Sequence, residues 1–169
     1  MAERKMTAQE ISQEKHTRIM NGVAAWTSFY RANPQRFCQD YLNIHLKLFQ
    51  KILLYAMMLN HYFMYLAARG QGKTYLTAIF CVIRCILFPG TKICVAASTR
   101  TQGNEVLLKI TDDLCKNYDW GSSNLRNEIS YSKVSSSEAK IEFYNGSWIR
   151  VVTASDSGRG ARANILIVD

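Results

Sequence analysis

One stretch of the sequence combines small residues, a lysine and a threonine at the spacing that phosphate binding requires. Residues 67–74 read Ala-Ala-Arg-Gly-Gln-Gly-Lys-Thr. In such a loop, successive backbone N–H groups can point at phosphate oxygens, and a following helix adds unpaired N–H groups and the positive end of its dipole. The lysine would hold the outer phosphates and the threonine hydroxyl would coordinate Mg²⁺. The predicted nucleotide-contacting residues are Ala68, Arg69, Gly70, Gln71, Gly72, Lys73 and Thr74.

The match to the usual P-loop pattern, G-x-x-x-x-G-K-[ST], is relaxed because its first glycine position holds Ala67. A glycine-rich turn before a helix, with an exposed lysine, is the alternative interpretation. The sequence context favours the P-loop. An apolar run over 62–66 predicts a buried strand before the loop, and a run over 75–88 without Gly or Pro predicts a helix after it.

A carboxylate that could complete such a site stands at the end of the chain. Residues 165–169 read Ile-Leu-Ile-Val-Asp, which predicts a fully buried strand that delivers Asp169 at its carboxyl end. In a P-loop fold this aspartate holds Mg²⁺, directly or through water. The pattern is common by itself, but together with the upstream loop it predicts a magnesium site formed by Thr74 and Asp169.

The elements around these residues alternate between strand and helix. Helices are expected over 1–21, 23–30, 37–42, 46–59 and 102–118, and a break at Asn33-Pro34. A second buried strand is expected over 93–97, and Asn145-Gly146 predicts a type I′ turn between strands 140–144 and 147–153. The order predicts an α/β fold with a mostly parallel sheet flanked by helices, preceded by an N-terminal helical segment.

Composition sets limits on the class of protein. The 169 residues are 48% hydrophobic and 20% charged, which is typical of a globular domain. The net charge of +8 suits a polyanionic partner, and an ordinary solvated basic surface explains it equally well. The start of the chain has no secretory pattern, and Asn60-His61 divides the apolar run 52–68 into pieces too short to span a membrane. Five cysteines without C-x-x-C spacing predict buried free thiols.

These features together resemble the N-terminal ATPase domain of a bacteriophage terminase large subunit, the motor that packages DNA into a procapsid. The likeness covers nearly the whole chain. Its most specific parts are a P-loop that contains an arginine and an R-G-x-R sequence before the last strand. The residues that carry it are Trp26, Phe29-Tyr30-Arg31, Asn33-Pro34, Leu46-Lys47, Phe49-Gln50, Arg69-Gly70-Gln71-Gly72-Lys73-Thr74, Pro89-Gly90-Thr91-Lys92-Ile93, Gln102, Asn145-Gly146-Ser147, Arg159-Gly160-Ala161-Arg162 and the run 165–169.

The resemblance implies a P-loop NTPase of the ASCE type that uses ATP and Mg²⁺. Gln50 would contact the adenine, although a surface glutamine on an amphipathic helix is the alternative. Lys73 and Thr74 would hold the phosphates and the metal, and Asp169 would be the Walker B carboxylate. The family sheet also inserts a further strand between the P-loop strand and the Walker B strand.

The resemblance further implies an arginine finger, a cation directed at the γ-phosphate that stabilises charge in the transition state. Arg159, supplied to the neighbouring subunit of a ring, is the first candidate. Arg69, acting within its own subunit, is the second, and Arg162 is the third. For Arg159 and Arg162, direct DNA contact or a salt bridge is the alternative role.

The partners implied by the resemblance are double-stranded DNA, the portal protein and a small terminase subunit. The chain would form a homo-oligomeric ring, a pentamer in the family, in the cytoplasm of a bacterial host, and would dock on the procapsid portal without membrane contact. We expect residues 1–45 to form a helical leader or lid. Residues 46–169 would form an incomplete ATPase domain, because the chain stops at Walker B, where a catalytic glutamate usually follows.

A nuclease that cuts concatemeric DNA would belong to a C-terminal domain beyond this chain. Two other functions remain open from the residues. One is a superfamily 2 helicase-like ATPase, which also places a glutamine before its P-loop. The other is a nucleotide-binding switch that changes conformation without turnover.

Overall fold

The computed structural model describes residues 7–115, 123–153 and 162–168. The chain divides into two compact units, Met1–Asn33 and Pro34–Asp169. The division falls at the Asn33-Pro34 break that the sequence predicts. Among the described residues, no helix is long and apolar enough to cross a membrane.

The first unit contains a single helix, α1 (Ala8–Ala32), where the sequence predicted two separate helical stretches. A capping box begins it. The Glu10 N–H donates to the Thr7 hydroxyl at 3.3 Å, and the Thr7 N–H donates to the Glu10 carboxylate at 2.7 Å. These bonds satisfy two N–H groups that helix geometry leaves without partners. The apolar side chains of this helix include exposed Ile19 and Val23.

The second unit is built from five helices and five strands in its described part. The helices are α2 (Pro34–Asp40), α3 (Leu48–Leu59), α4 (Lys73–Leu87), α5 (Arg100–Leu108), which continues as a π-helical segment (Lys109–Leu114), and α6 (Ser123–Glu128). The strands are β1 (Lys92–Ala97), β2 (Ile129–Val134), β3 (Ala139–Phe143), β4 (Trp148–Thr153) and β5 (Ile165–Val168). Helix α6 was not expected from the sequence. The segment 109–114 was expected to be helical as part of 102–118, but its π geometry was not predicted.

The strands form one mixed sheet in the order β2-β3-β4-β1-β5. β1 pairs in parallel with β4 and β5, whereas β3 pairs antiparallel with β2 and β4. The α/β class is therefore confirmed, but the expected mostly parallel sheet is not, because half of the pairings are antiparallel. The connections between β2, β3 and β4 are too short for the crossover that a parallel pair requires.

The predicted buried strand over 62–66 is not formed. This segment is not part of the sheet, and Tyr62 and Leu66 are 96% and 88% exposed. A strand needs a neighbour for its backbone groups, and a cleft separates this segment from β5. The prediction that the last strand is fully buried is also wrong. Leu166 and Val168 are 65% and 77% exposed, since β5 lies at the end of the sheet with β1 on one side only.

The turn between β3 and β4 differs from the predicted type I′ geometry. Gly146 has a φ of +81°, but Asn145 does not have the positive φ that a type I′ turn requires at both central positions. The Gly146 N–H donates to the Phe143 carbonyl at 3.0 Å, and the Phe143 N–H donates to the Ser147 carbonyl at 2.9 Å. This pattern is typical of the three-residue hairpin loop in which a left-handed glycine follows a tight turn.

Side chains of the same turn cap the carboxyl end of α4. The Asn145 amide donates to the Cys85 carbonyl at 2.7 Å, and the buried Ser147 hydroxyl donates to the same carbonyl at 2.9 Å. The Thr91 N–H in turn donates to the Ser147 hydroxyl at 3.0 Å. Carbonyls at a helix end lack intrahelical donors, and these two side chains supply the missing hydrogen bonds. The bonds fix the end of α4 beside the amino ends of β1 and β4.

Helix α5 lies very close to the sheet because Gly103 has no side chain. A Cβ at this position would be 2.4 Å from the Val151 Cγ1 atom on β4, and 3.5 Å from the Ala97 Cβ atom. Both strand residues are buried. The glycine is therefore required by the close approach of helix and strand, and not by its backbone conformation.

The five cysteines are free thiols, as the sequence predicted. Cys38, Cys81, Cys85 and Cys94 are buried, whereas Cys115 is half-buried. Burial raises the pKa of the Cys38 and Cys81 thiols to about 12, because a thiolate loses its hydration in the core. These side chains act as small apolar core residues.

We predict that Ser147→Ala lowers the free energy of unfolding by about 1–2 kcal/mol, because one hydroxyl bonds both α4 and the start of β1. Urea denaturation followed by circular dichroism measures the change. Ser132→Ala, on the exposed strand β2, is the control and should change stability by less than about 0.5 kcal/mol. Equal effects of the two variants would contradict the capping role.

We also predict that Gly103→Ala destabilises the protein by about 1–3 kcal/mol, since Val151 is a stiff β-branched residue that cannot move aside. Adding Val151→Ala should recover part of this loss, which a double-mutant cycle measures as a coupling of about 0.5–3 kcal/mol. Gly22→Ala in α1 is the control, because nothing lies within 4 Å of its added Cβ. Strictly additive effects at positions 103 and 151 would contradict the proposed contact.

Candidate nucleotide-binding site

The predicted P-loop lies at the edge of the sheet where the parallel strands end. The carboxyl end of α4 is bonded to residues beside the amino ends of β1 and β4. Helix α4 is 15 residues long and begins at Lys73, so its amino end lies toward the opposite edge, where β1, β4 and β5 terminate. Ligands of open α/β sheets bind outside the carboxyl ends of the strands. The loop is therefore located where the fold class places a ligand.

Two left-handed glycines shape the loop. The Gln71 N–H donates to the Ala68 carbonyl at 3.3 Å, and Gly70 within this turn has a φ of +83°. Gly72, with a φ of +73°, is the N-cap of α4, and its carbonyl accepts from the Leu76 N–H at 2.9 Å. Positive φ values are readily available only to glycine, which explains the residue type at both positions.

Several groups of the loop are accessible to a ligand. Ala68, Arg69, Gly70 and Gln71 are exposed, and nothing lies within 4 Å of a Cβ built on Gly70. At the start of α4, Lys73 is exposed and Thr74 is half-buried. The first-turn N–H groups of a helix have no intrahelical partners and favour an anion. The arrangement can hold a phosphate, whose charge the lysine would balance.

Gln50 is brought to this loop from helix α3. Its side-chain Nε2 atom lies 3.7 Å from the position of a Cβ on Gly72. Its Oε1 atom accepts a hydrogen bond of 2.9 Å from the Lys47 N–H at the start of α3. The glutamine therefore caps its own helix with the oxygen and directs its nitrogen to the P-loop. The sequence indicated its proximity to the nucleotide by resemblance, but the capping role was not expected.

A cleft of about 530 Å³ lies beside the loop. Helix α4, the segment 60–66 and β5 form its walls, and Lys73, Leu76 and Phe80 contribute from the helix. Most of the other lining side chains are apolar, among them Phe63 and Ile167. Such walls do not suit phosphate, so the loop 67–74, and not the cleft, is the candidate phosphate site.

A second polar group lies at the same edge, immediately after β1. The Ser98 hydroxyl donates to the Gln102 Oε1 atom at 2.5 Å, and the Thr99 hydroxyl donates to the same atom at 3.2 Å. The Thr99 hydroxyl also accepts from the Gln102 N–H and so caps α5. The sequence analysis assigned no capping role to these residues, although the S/T-x-x-Q pattern is the signature of a capped helix start.

Of the predicted catalytic arginines and the aspartate, the structure describes Arg69 and Arg162. Arg69 is exposed in the loop. Arg162 comes just before Asn164, whose side chain and N–H bond the Lys92 backbone at the amino end of β1, so Arg162 lies toward the edge away from the loop. Arg159 and Asp169 lie outside the described residues. Val168 nevertheless ends β5 at the same edge as the loop.

The described residues do not form a metal cage of their own. No group of three or more His, Cys, Asp or Glu side chains suited to a metal occurs in the parts of the chain that the structure covers. A magnesium ion bound with a nucleotide needs fewer protein ligands, because phosphates and water complete its shell. The sequence predicts Thr74 and Asp169 for such a role; Thr74 lies in the first turn of α4, and Asp169 is outside the described residues.

A scan against protein-family models and a search of curated proteins found no match to this chain.

We predict that Gln50→Ala lowers the free energy of unfolding by about 0.5–1.5 kcal/mol, because the Lys47 N–H loses its acceptor in the capping box. Gln50→Glu keeps an acceptor at the same place and adds a favourable negative charge to the first turn, so it should retain wild-type stability. Thermal unfolding followed by circular dichroism compares the two. Equal destabilisation by both variants would show that the cap does not act through this oxygen.

Proposed function

We propose that this chain is the ATPase part of a phage terminase large subunit, which hydrolyses ATP to move double-stranded DNA into a procapsid. The observation that carries the proposal is the loop 67–74. Its two left-handed glycines and the amino end of α4 face the carboxyl ends of three parallel strands. A glycine-rich turn without function would not need this position.

In the proposed reaction, the loop N–H groups and Lys73 bind the β- and γ-phosphates. Thr74 and Asp169 would hold a magnesium ion, which would neutralise charge on the phosphates. The Nε2 atom of Gln50 is a donor available to the nucleotide base, since Oε1 already accepts from Lys47. A cation from Arg159 of a neighbouring subunit, or from Arg69 of the same subunit, stabilises the transition state.

The finer fold assignment, an ASCE-type P-loop NTPase, belongs to this proposal. The segment 62–66 and β5 both line the cleft and do not pair with each other. The terminase sheet has one strand between its P-loop strand and its Walker B strand. A strand in the cleft would give both segments a backbone partner and would cover Leu166 and Val168.

The proposal includes the partners expected of a packaging motor. Double-stranded DNA is the polyanion that the net charge of +8 would attract. A ring, pentameric in the family, would dock on the portal of the procapsid in the host cytoplasm and receive DNA from a small subunit. A nuclease activity would belong to a separate C-terminal domain.

ATP hydrolysis measured with and without duplex DNA tests this function. We predict that duplex DNA stimulates turnover and that Lys73→Ala lowers it by about 100-fold or more, because a cation on the transferring phosphate is lost. Lys109→Ala is the matched control. Lys109 lies in the π-helical segment and pairs with Asp113 at 2.8 Å, so its loss should leave turnover unchanged.

Two outcomes would overturn the proposal. Nucleotide binding without turnover that depends on Lys73 would favour a conformational switch. Turnover that depends on Lys73 and is coupled to separation of the duplex strands would favour a helicase-like ATPase. Fluorescent-nucleotide binding and a strand-separation assay on the same preparations distinguish these outcomes.

A further inference from the structure

Three cations lie directly opposite one another across three neighbouring strands. In the register of the sheet, Lys133 on β2 pairs with Lys140 on β3, and Lys140 pairs with Arg150 on β4. Strands of a sheet are about 4.8 Å apart, so the three backbone positions follow a line of about 10 Å across the sheet. Like charges directly opposite each other destabilise a sheet, so this cation row needs an explanation.

The cation row lies on the face of the sheet away from α5. Val151 contacts this helix through the close approach at Gly103, and side chains alternate between faces along a strand. Arg150, its neighbour, therefore lies on the other face. Lys133 and Arg150 are exposed, and Lys140 is half-buried. The row is accessible to a ligand.

Two carboxylates balance part of this charge. Lys133 forms an ion pair with Glu138 at 3.1 Å, and Lys140 pairs with Glu142. The hydrogen bond between Lys133 and Glu138 raises the pKa of the lysine and lowers the pKa of the carboxyl group. In the described part of the chain, no carboxylate pairs with Arg150. The row therefore retains a net positive charge, centred on Arg150.

The next row of the same face adds aromatic side chains and another cation. Tyr131 pairs with Glu142, Glu142 with Trp148, and Trp148 with Lys92. Tyr131 and Lys92 are exposed, and Trp148 is half-buried. The two rows contain four cations, one carboxylate (Glu142) and two aromatic rings, and Glu138 in the turn between β2 and β3 adds a second carboxylate. A row of cations with this excess over carboxylates suits an extended polyanion such as a nucleic acid better than it suits a small anion.

We propose that this face of β2, β3 and β4 binds the phosphate backbone of duplex DNA, with Arg150 as the central contact and Lys133 and Lys140 on one side of it. The identity of the polyanion rests on the proposed packaging function. The surface itself is identified by the register of the strands alone. Contacts to phosphate position a protein on DNA without reading its sequence, as a motor that moves along any DNA requires.

Binding of a short duplex of random sequence, measured over a series of salt concentrations, tests the proposal on the intact protein. Each phosphate contact contributes about 0.9 to the slope of log K against log salt. Arg150→Gln should reduce the slope by about that amount and weaken binding at low salt, whereas Arg150→Lys should retain most of both. Lys109→Gln is the control from another surface and should leave the slope unchanged.

A variant with the opposite expected effect sharpens the test. Glu142→Gln removes the carboxylate that balances Lys140, so it should tighten DNA binding and increase the salt dependence. Circular dichroism melting of every variant establishes that it is folded. Unchanged DNA affinity and slope in both folded Arg150→Gln and folded Glu142→Gln would overturn the proposal.

The test separates this inference from the proposed motor. Hydrolysis that depends on Lys73 and is stimulated by DNA, with binding insensitive to Arg150 and Glu142, would overturn the DNA-binding face and leave the motor intact. Binding that depends on Arg150 without hydrolysis that depends on Lys73 would support the face and overturn the motor. Equal loss of heparin and duplex binding in Arg150→Gln, with no preference for the duplex, would indicate a general polyanion site and overturn the assignment to DNA.

Discussion

The orientation of helix α4 depends on hydrogen bonds at its carboxyl end, the end away from the candidate site. Asn145 and Ser147 bind the last carbonyls of the helix, and Thr91 joins them to the start of β1. In any orientation of α4 that left this buried end without partners, several hydrogen bonds would be lost. The observed orientation is therefore strongly preferred. With its carboxyl end fixed, the helix must present its amino end, and thus Lys73, to the opposite edge of the sheet. The candidate site is a consequence of that constraint.

The sheet combines two regions with different requirements. β2, β3 and β4 are joined by short turns, so their pairing is local in sequence. The entropic cost of closing these loops is therefore small. β1 and β5 pair in parallel across a long stretch of chain, and β5 has no partner on its other side in the described structure. The antiparallel region can form early, whereas the parallel region depends on contacts between distant segments. The candidate nucleotide site lies at the carboxyl ends of β1, β4 and β5, so it needs the second region as well as the last strand of the first.

Much of the fold could be predicted because the signals were local. The apolar run after Thr74 predicted α4, the pair Asn145-Gly146 predicted a hairpin, and Ile165 to Val168 predicted a strand. The predictions that failed concern segments whose structure depends on pairing with another part of the chain. Residues 62–66 have the composition of a strand, yet a strand forms only where a neighbour supplies its hydrogen bonds.

The site was predicted to a similar extent and for similar reasons. The tight turn at Gly70 and Gly72 could be predicted from the sequence, because few other residues adopt a positive φ. The contact of Gln50 with the loop could be expected only from resemblance, since it joins two helices whose packing no local pattern specifies. The cation row across β2, β3 and β4 could not be predicted, because Lys133, Lys140 and Arg150 are aligned only by strand register.

The absence of a side chain at Gly103 has a mechanical consequence. Helix α5 begins at the polar group after β1 and rests on Val151 with no layer of side chains between them. Packed interiors have low compressibility and transmit strain. A displacement of Thr99 at the start of the helix would therefore also displace β4. Arg150 is the next residue on that strand and faces the other side of the sheet. The missing side chain at Gly103 therefore joins two regions mechanically, the edge of the sheet beside the candidate P-loop and the face that carries the cation row.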